Sequence, residues 1–307
     1  LTQSNVSIKY SSSDWLFVTA TPQWIQDAKR SQLISDFYFE LAPPTLLADT
    51  ARATHFVNEV HAGLGGLQTS FTGKDIIIGY VDTGIDFTHE DFKNDDGTTR
   101  VLRYWDHSIS TGPAPPTYGY GTVWDSTAIN NGTCTSTDSH SHGTVVTGFG
   151  SGNGRANGRF KGMAPASDII VVESNFSAPN WTLTIADACD YIFKVADTLG
   201  KPAVVNLSLG TYFGSHDGND PASEAMETML DAQSGRIIVA AAGNSGLSGK
   251  THVHNIVTTD TSFCWFLNNP SGNLGANTIY FDLWSDLSDA TFDFGFAADK
   301  PAPDYEL

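Results

Sequence analysis

Two short segments hold residues whose types and order could carry acid–base chemistry. Asp82 closes the apolar run Ile76-Ile77-Ile78-Gly79-Tyr80-Val81, where a carboxylate would stand at the end of a buried strand. His142 opens His142-Gly143-Thr144 ahead of an apolar stretch, where a base would stand at the start of a helix. A carboxylate that fixes an imidazole's tautomer, and an imidazole that takes a hydroxyl proton, are the orienting acid and general base of a serine nucleophile system. Such chemistry also needs a donor for the developing oxyanion. Asn244, in Ala240-Ala241-Ala242-Gly243-Asn244-Ser245-Gly246, can offer its side-chain N–H₂ from a sharp, glycine-flanked turn. No nucleophile motif follows them within the 307 residues.

The elements that must position these groups follow from hydropathy patterning. Residues 75–82, 168–173, 204–209 and 236–242 read as apolar strands. Between them, 183–199 reads as a helix with Ile185, Cys189, Ile192, Ala196 and Leu199 on one face, stopped by Gly200-Lys201-Pro202. Asp220-Pro221 supplies a cap and first-turn proline for another helix, which Gly235 closes. Continuous apolar strands separated by helices imply an α/β fold with a mostly parallel sheet covered on both faces. Active sites of such sheets lie at the carboxyl ends of the strands, where Asp82 and Asn244 fall.

Two other textures flank this core. Residues 1–60 form a small α+β leading unit, with strands expected at 15–19 and 37–39 and helices at 22–33 and 46–60, interrupted by Pro43-Pro44. Residues 61–258 are the core domain. From 259 to 307 polar and apolar residues alternate, as in 279–284 and 290–296, which is antiparallel β character. That last unit has too few strands to close a core of its own, and the first residue is Leu rather than Met, so a fragment or processed product is expected.

Composition excludes some functions. A formal net charge of −18 leaves no basic patch to meet phosphates, so nucleic acid is not an expected partner. No run of about 18 apolar residues occurs, so no membrane span is expected. The acidity is read as surface solubility of a secreted or cell-surface protein rather than as affinity for basic substrates. The three cysteines, Cys134, Cys189 and Cys264, show neither metal spacing nor a disulfide framework.

Four segments in order, Val81-Asp82-Thr83-Gly84-Ile85-Asp86, His142-Gly143-Thr144, Asn206-Leu207-Ser208-Leu209-Gly210 and Ala241-Ala242-Gly243-Asn244-Ser245-Gly246, resemble the successive signatures of the subtilisin-like serine peptidases (the S8 subtilases). His89-Glu90-Asp91-Phe92 and Gly162-Met163-Ala164-Pro165 are smaller matches between them, and the likeness runs from about Gly73 to Gly246. The resemblance implies a subtilisin-like fold and hydrolysis of peptide bonds by acyl transfer. Asp82 would hold His142, His142 would be general base and then general acid, and Asn244 would donate to the oxyanion. Ser208, Leu209 and Gly210 would bind an extended polypeptide substrate as an added strand. Residues 1–60 are similar to the tail of the family's inhibitory propeptide, so the chain's own propeptide is a further expected partner. Residues 99–106 and 214–218 resemble clostridial-type members that carry a β-domain inserted between asparagine and serine. Residues 259–307 would then begin that insertion, and the Gly-Thr-Ser-Met-Ala nucleophile motif would lie beyond Leu307. A chain without it should be inert, and the alternative is a non-catalytic, peptide-binding relative.

The resemblance requires no cofactor. Structural calcium occurs variably in the family, and Asp86 is its nearest candidate ligand, without a ligand set to assign. His140-Ser141-His142 alternates as a metal pair could, but spacing supplies no third ligand, so no metal site is expected. His252 and His254 read as surface strand or loop residues.

Overall fold

The computed structural model describes residues 6–12, 15–34, 47–244, 282–285 and 293–295. The chain forms two compact units, Leu1–Leu47 and Ala48–Leu307. In the first, β1 (Val6–Ser12) and β2 (Trp15–Ala20) pair antiparallel, and α1 (Pro22–Arg30) follows. The Thr21 hydroxyl accepts the Trp24 N–H at 3.2 Å, Pro22 begins the first turn, and Lys29 and Arg30 sit in the last, all favourable to that helix. The strand expected at 37–39 lies outside the described residues.

The helix expected over 46–60 is two helices, α2 (Leu47–Thr54) and α3 (Val57–Ala62). Thr54, His55 and Phe56 are weak helix formers, and Phe56 takes a left-handed conformation with φ 58° that breaks the run.

The centre is a six-stranded sheet in the order β5-β4-β6-β3-β7-β8. Its strands are β3 (Ile77–Asp82), β4 (Val101–Asp106), β5 (Thr122–Asp125), β6 (Asp168–Glu173), β7 (Ala203–Leu207) and β8 (Arg236–Ala240). Only β5 runs antiparallel to its neighbour; the other pairings are parallel. β4 and β5 were not among the expected strands, because Arg103 and Asp125 interrupt the apolar pattern that marks the others. Between β5 and β8 come α4 (Ser126–Asn130), α5 (His142–Ser151), α6 (Trp181–Leu199) and α7 (Pro221–Asp231). Asp220 caps α7 through Ala222 and Ser223 N–H, but the helix ends before Gly235.

Helices cover both faces. One core joins Ile77, Val81, Trp105, Ile170, Val172 and Val205 to α6 through Ile185, Cys189, Ile192 and Ala196. The other joins Tyr80, Ile85, Tyr104, Ile169 and Val171, with Val146 of α5 packed against it. Each fully buried aliphatic side chain contributes about 1.5–3 kcal/mol, so these two layers hold the sheet rigid beneath its carboxyl ends. Leu199 departs from the expected apolar face of α6: it is 43% exposed in the last turn. The alternating stretches 279–284 and 290–296 lie largely outside the described residues.

Candidate active site

Asp82 is the last residue of β3 and is buried to 1% exposure. Its Oδ1 accepts the Thr83 N–H at 2.7 Å and meets Nδ1 of His142 at 2.7 Å. His142 is the first residue of α5, and its side chain remains 55% exposed. With Nδ1 facing Asp82, the ring carries its proton there as donor, which leaves Nε2 as the nitrogen able to accept one. The second oxygen of Asp82, Oδ2, is buried without a hydrogen-bond partner among the described residues.

The chain after Asp82 and the chain after His142 are tied together by a side-chain-to-backbone bond and by close packing. The Thr83 hydroxyl accepts the Gly143 N–H at 2.9 Å. A Cβ on Gly143 would run into the carbonyl oxygen of Gly84, so only glycine permits this approach. Gly84 itself has φ 109°, a left-handed value that lets the strand turn sharply after Asp82–Thr83.

Asp138, which the sequence reading did not single out, is the hub of this junction. One of its oxygens accepts the Thr83 hydroxyl at 2.9 Å, the His140 N–H at 3.1 Å and the Ser141 N–H at 2.9 Å. The other accepts the Thr144 N–H at 2.9 Å and its hydroxyl at 2.7 Å. Ser141, the residue before α5, has φ 63° and caps nothing with its own side chain. Asp138 therefore supplies the cap and the negative charge that a helix start favours, and offsets a left-handed serine. Burial opposes its charge, yet bonds from Thr144, Thr83 and His140 outweigh that and hold the carboxyl below the usual carboxylate range. The signal was present: an acid four residues before the first helical residue, in a run of Ser and His without another anionic cap.

The remaining candidates line the same end of the sheet. Ser208, Leu209 and Gly210 follow directly on β7, which ends at Leu207 rather than 209. Asn206 donates to the Ser208 hydroxyl at 2.9 Å, and Leu209 packs onto the α6 core. Leu209 and Gly210 also edge a hollow of about 170 Å³ walled by Trp181, Ile185, Phe213 and Met226. Asn244 lies exposed just beyond β8, after Gly243 with φ 90°. The structure thus brings Asp82 and His142 into contact, and sets Ser208–Gly210 and Asn244 after β7 and β8, the next two strands beyond β3.

Asp86, the candidate calcium ligand, spends one oxygen on the Thr88 N–H and hydroxyl, at 3.0 and 2.5 Å. Among the described residues no group of three or more His, Cys, Asp or Glu is arranged to hold a metal ion. His140 is exposed and engaged through its backbone, while His142 turns Nδ1 to Asp82.

A buried strand-end carboxylate thus contacts a helix-start imidazole at the carboxyl end of a mostly parallel sheet between helices, the arrangement of an α/β protein. The chain belongs to the subtilase family: the family model, described as Subtilase family, matches residues 73–265. A PII-type proteinase of Lacticaseibacillus paracasei is 28% identical over 197 residues, covering 58% of this chain and 10% of that protein. The minor extracellular protease Vpr of Bacillus subtilis (strain 168) is 27% identical over 183 residues, covering 59% of this chain and 19% of that one. The solved structure of the Clostridium perfringens CspB protease is 30% identical, with a TM-score of 0.49 over 58% of this chain and 37% of its own. The chain therefore spans about a tenth of the length of the L. paracasei relative. No described helix is long and apolar enough to cross a membrane.

Proposed function

We propose that this chain carries the acid–base half of a serine endopeptidase, with Asp82 as orienting acid and His142 as general base. The observation that carries this is the 2.7 Å contact between His142 Nδ1 and the buried Asp82 Oδ1, on a ring otherwise half-open to solvent. Nε2 of His142 takes the proton of a serine hydroxyl as that oxygen attacks the peptide carbonyl, and returns it to the departing amine. Asp82 keeps the tautomer and stabilises the imidazolium that forms between the two steps. Asn244 donates to the oxyanion, and Ser208–Gly210 pairs with an extended polypeptide.

The serine is supplied by chain outside these residues, since no Gly-Thr-Ser-Met-Ala motif occurs in them. In this reading residues 1–60 are propeptide-like, 61–258 are the catalytic domain's first part and 259–307 begin an inserted β-domain. The protein acts outside the cell or on its surface, and calcium, where present, is structural.

The test is covalent labelling with a fluorophosphonate. A longer form that includes the nucleophile motif should be labelled, its His142→Ala variant should not, and the 307-residue chain should stay unlabelled. A longer form with His142 intact that takes no label would favour a peptide-binding relative without catalysis.

A further inference from the structure

Asp82, Glu173 and Asp106 stand at matched register positions on β3, β6 and β4. Residues in register on neighbouring parallel strands face the same way, about 4.8 Å apart, so three carboxyls form one row at the end of the sheet. Asp106, 2% exposed, accepts the Ser136 hydroxyl at 2.5 Å on one oxygen and the Ser108 N–H at 2.7 Å on the other. The fully buried Tyr104 donates its hydroxyl to Glu173 Oε2 at 2.7 Å. The Asp106 carboxylate neighbours the Glu173 carboxyl in this row and raises it. Like charges side by side in a buried row repel, which favours a proton on one of them.

We propose that the Asp106–Glu173 pair holds one proton at neutral pH, on Glu173, and that Glu173 is a positioning residue for the Asp82 turn. This rests on the reading of Asp82 and His142 as acid and base. Asp106 already accepts a donor on each oxygen, whereas Glu173 accepts only the tyrosine and is the better place for the proton. Burial, against the pull of the Tyr104 bond, pushes the Glu173 carboxyl up to about 8, with the charges of Asp106 and Asp138 adding to the effect.

The link to the turn is direct. Tyr104 Oη also accepts the Ile85 N–H at 3.4 Å, and a Cβ on Gly84 would meet that hydroxyl and the Glu173 carboxyl. Tyr104 and Glu173 are thus the floor beneath Gly84, whose carbonyl is where Gly143 packs. Ionising Glu173 would set a further negative charge between Asp106 and Asp82, with Asp138 nearby.

The neighbouring thiol, phenol and buried imidazole stay neutral through the mildly alkaline range. Burial pushes the Cys134 thiol up to about 11, and raises the Tyr104 phenol well above its ordinary value. His107 donates its backbone N–H to the Glu173 carbonyl at 3.0 Å, but its ring packs on Trp105 and Tyr120, and burial pulls it down to about 4. His142 is reached only through Asp82, which makes its Nδ1 proton a reporter of charge in the row.

The 307-residue chain tests this without catalysis. At about pH 6 its infrared spectrum should contain a buried carboxylic-acid C=O band that Glu173→Gln deletes and that fades as pH passes about 8. Over the same range the His142 Nδ1–H proton resonance should move in a step that Glu173→Gln removes. Asp106→Asn should shift the fading of the band to lower pH, because the neighbouring charge is gone. Absence of the band in the parent, or a resonance step that persists in Glu173→Gln, overturns the proposal. Asp82→Asn separates it from the reading it rests on: loss of the Nδ1–H resonance is expected there. Its persistence would sink the acid–base pair and leave the infrared band to decide the Glu173 proton alone.

Discussion

The hydroxyl of Thr83 accepts the backbone N–H of Gly143 at 2.9 Å, so the residue after the strand-end acid is tied to the residue after the helix-start base. The same hydroxyl donates to Asp138 at 2.9 Å, so one side chain serves both partners of the junction. The Asp82–His142 distance is therefore set by a small hydrogen-bonded frame as well as by the pair's own attraction.

Thr83→Val keeps the shape and removes both bonds, leaving the buried Gly143 N–H unsatisfied. The expected loss is about 1–3 kcal/mol. Urea unfolding should register it, and the His142 Nδ1–H resonance should broaden. An unchanged midpoint with an unchanged resonance would show the frame to be dispensable.

Gly143 and Gly148 lie in the same helix and should respond oppositely to alanine. At Gly143 the added methyl would collide with the Gly84 carbonyl, forcing α5 away from the Asp82 turn. At Gly148 nothing lies within 4 Å of the added atom. Gly148→Ala should stabilise by about 0.5–1 kcal/mol, and Gly143→Ala should destabilise by more than that. Thermal melts of the two variants decide it; the same sign for both would contradict the packing described.

Asp138→Asn probes the cap. The folded carboxyl titrates below its ordinary range, so its contribution is complete above the unfolded value and is lost as pH falls through the folded one. The variant should be about 1–2 kcal/mol less stable at neutral pH, the partly exposed site softening the loss, and should converge with the parent in acid. Unfolding midpoints measured across the acid limb would show parallel curves if Asp138 carries no such charge effect.

His107 is 8% exposed, and neither ring nitrogen has a partner among the described residues. Burial lowers it to about 4, so between the ordinary histidine value and that point the unfolded chain binds the extra proton and stability falls with pH. His107→Phe should keep the stacking on Trp105 and remove that slope, at most about 1.4 kcal/mol per pH unit. The variant should therefore outlast the parent near pH 5. Equal acid sensitivity of the two would place the titrating group elsewhere.

Much of the fold was legible because local pattern suffices for it. The apolar runs ending at Asp82 and Glu173 announce buried strands, and the cap at Asp220-Pro221 announces a helix. β4 was not legible, since Arg103 breaks the run that its buried neighbours Val101, Tyr104 and Trp105 would otherwise continue. Phe56 was equally opaque: nothing in the residues around it signals a left-handed break in a helical stretch.

The sequence by itself determined which residues end strands and begin helices, and so where Asp82 and His142 stand on their own elements. It also carried the four signatures, in order, of the family to which the chain belongs. Only the tertiary structure decided that those two residues, 60 apart, touch at 2.7 Å, that Asp138 caps the base's helix, and that Asp106, Glu173 and Asp82 form a row. The reason is physical: hydropathy and capping are local properties of the chain. The lateral order of strands, their register and the approach of α5 through Gly143 depend instead on packing between segments distant in sequence. The places of Asp82 and His142 on their elements could be read from the line of residues; the frame that holds them together exists only once the sheet is assembled.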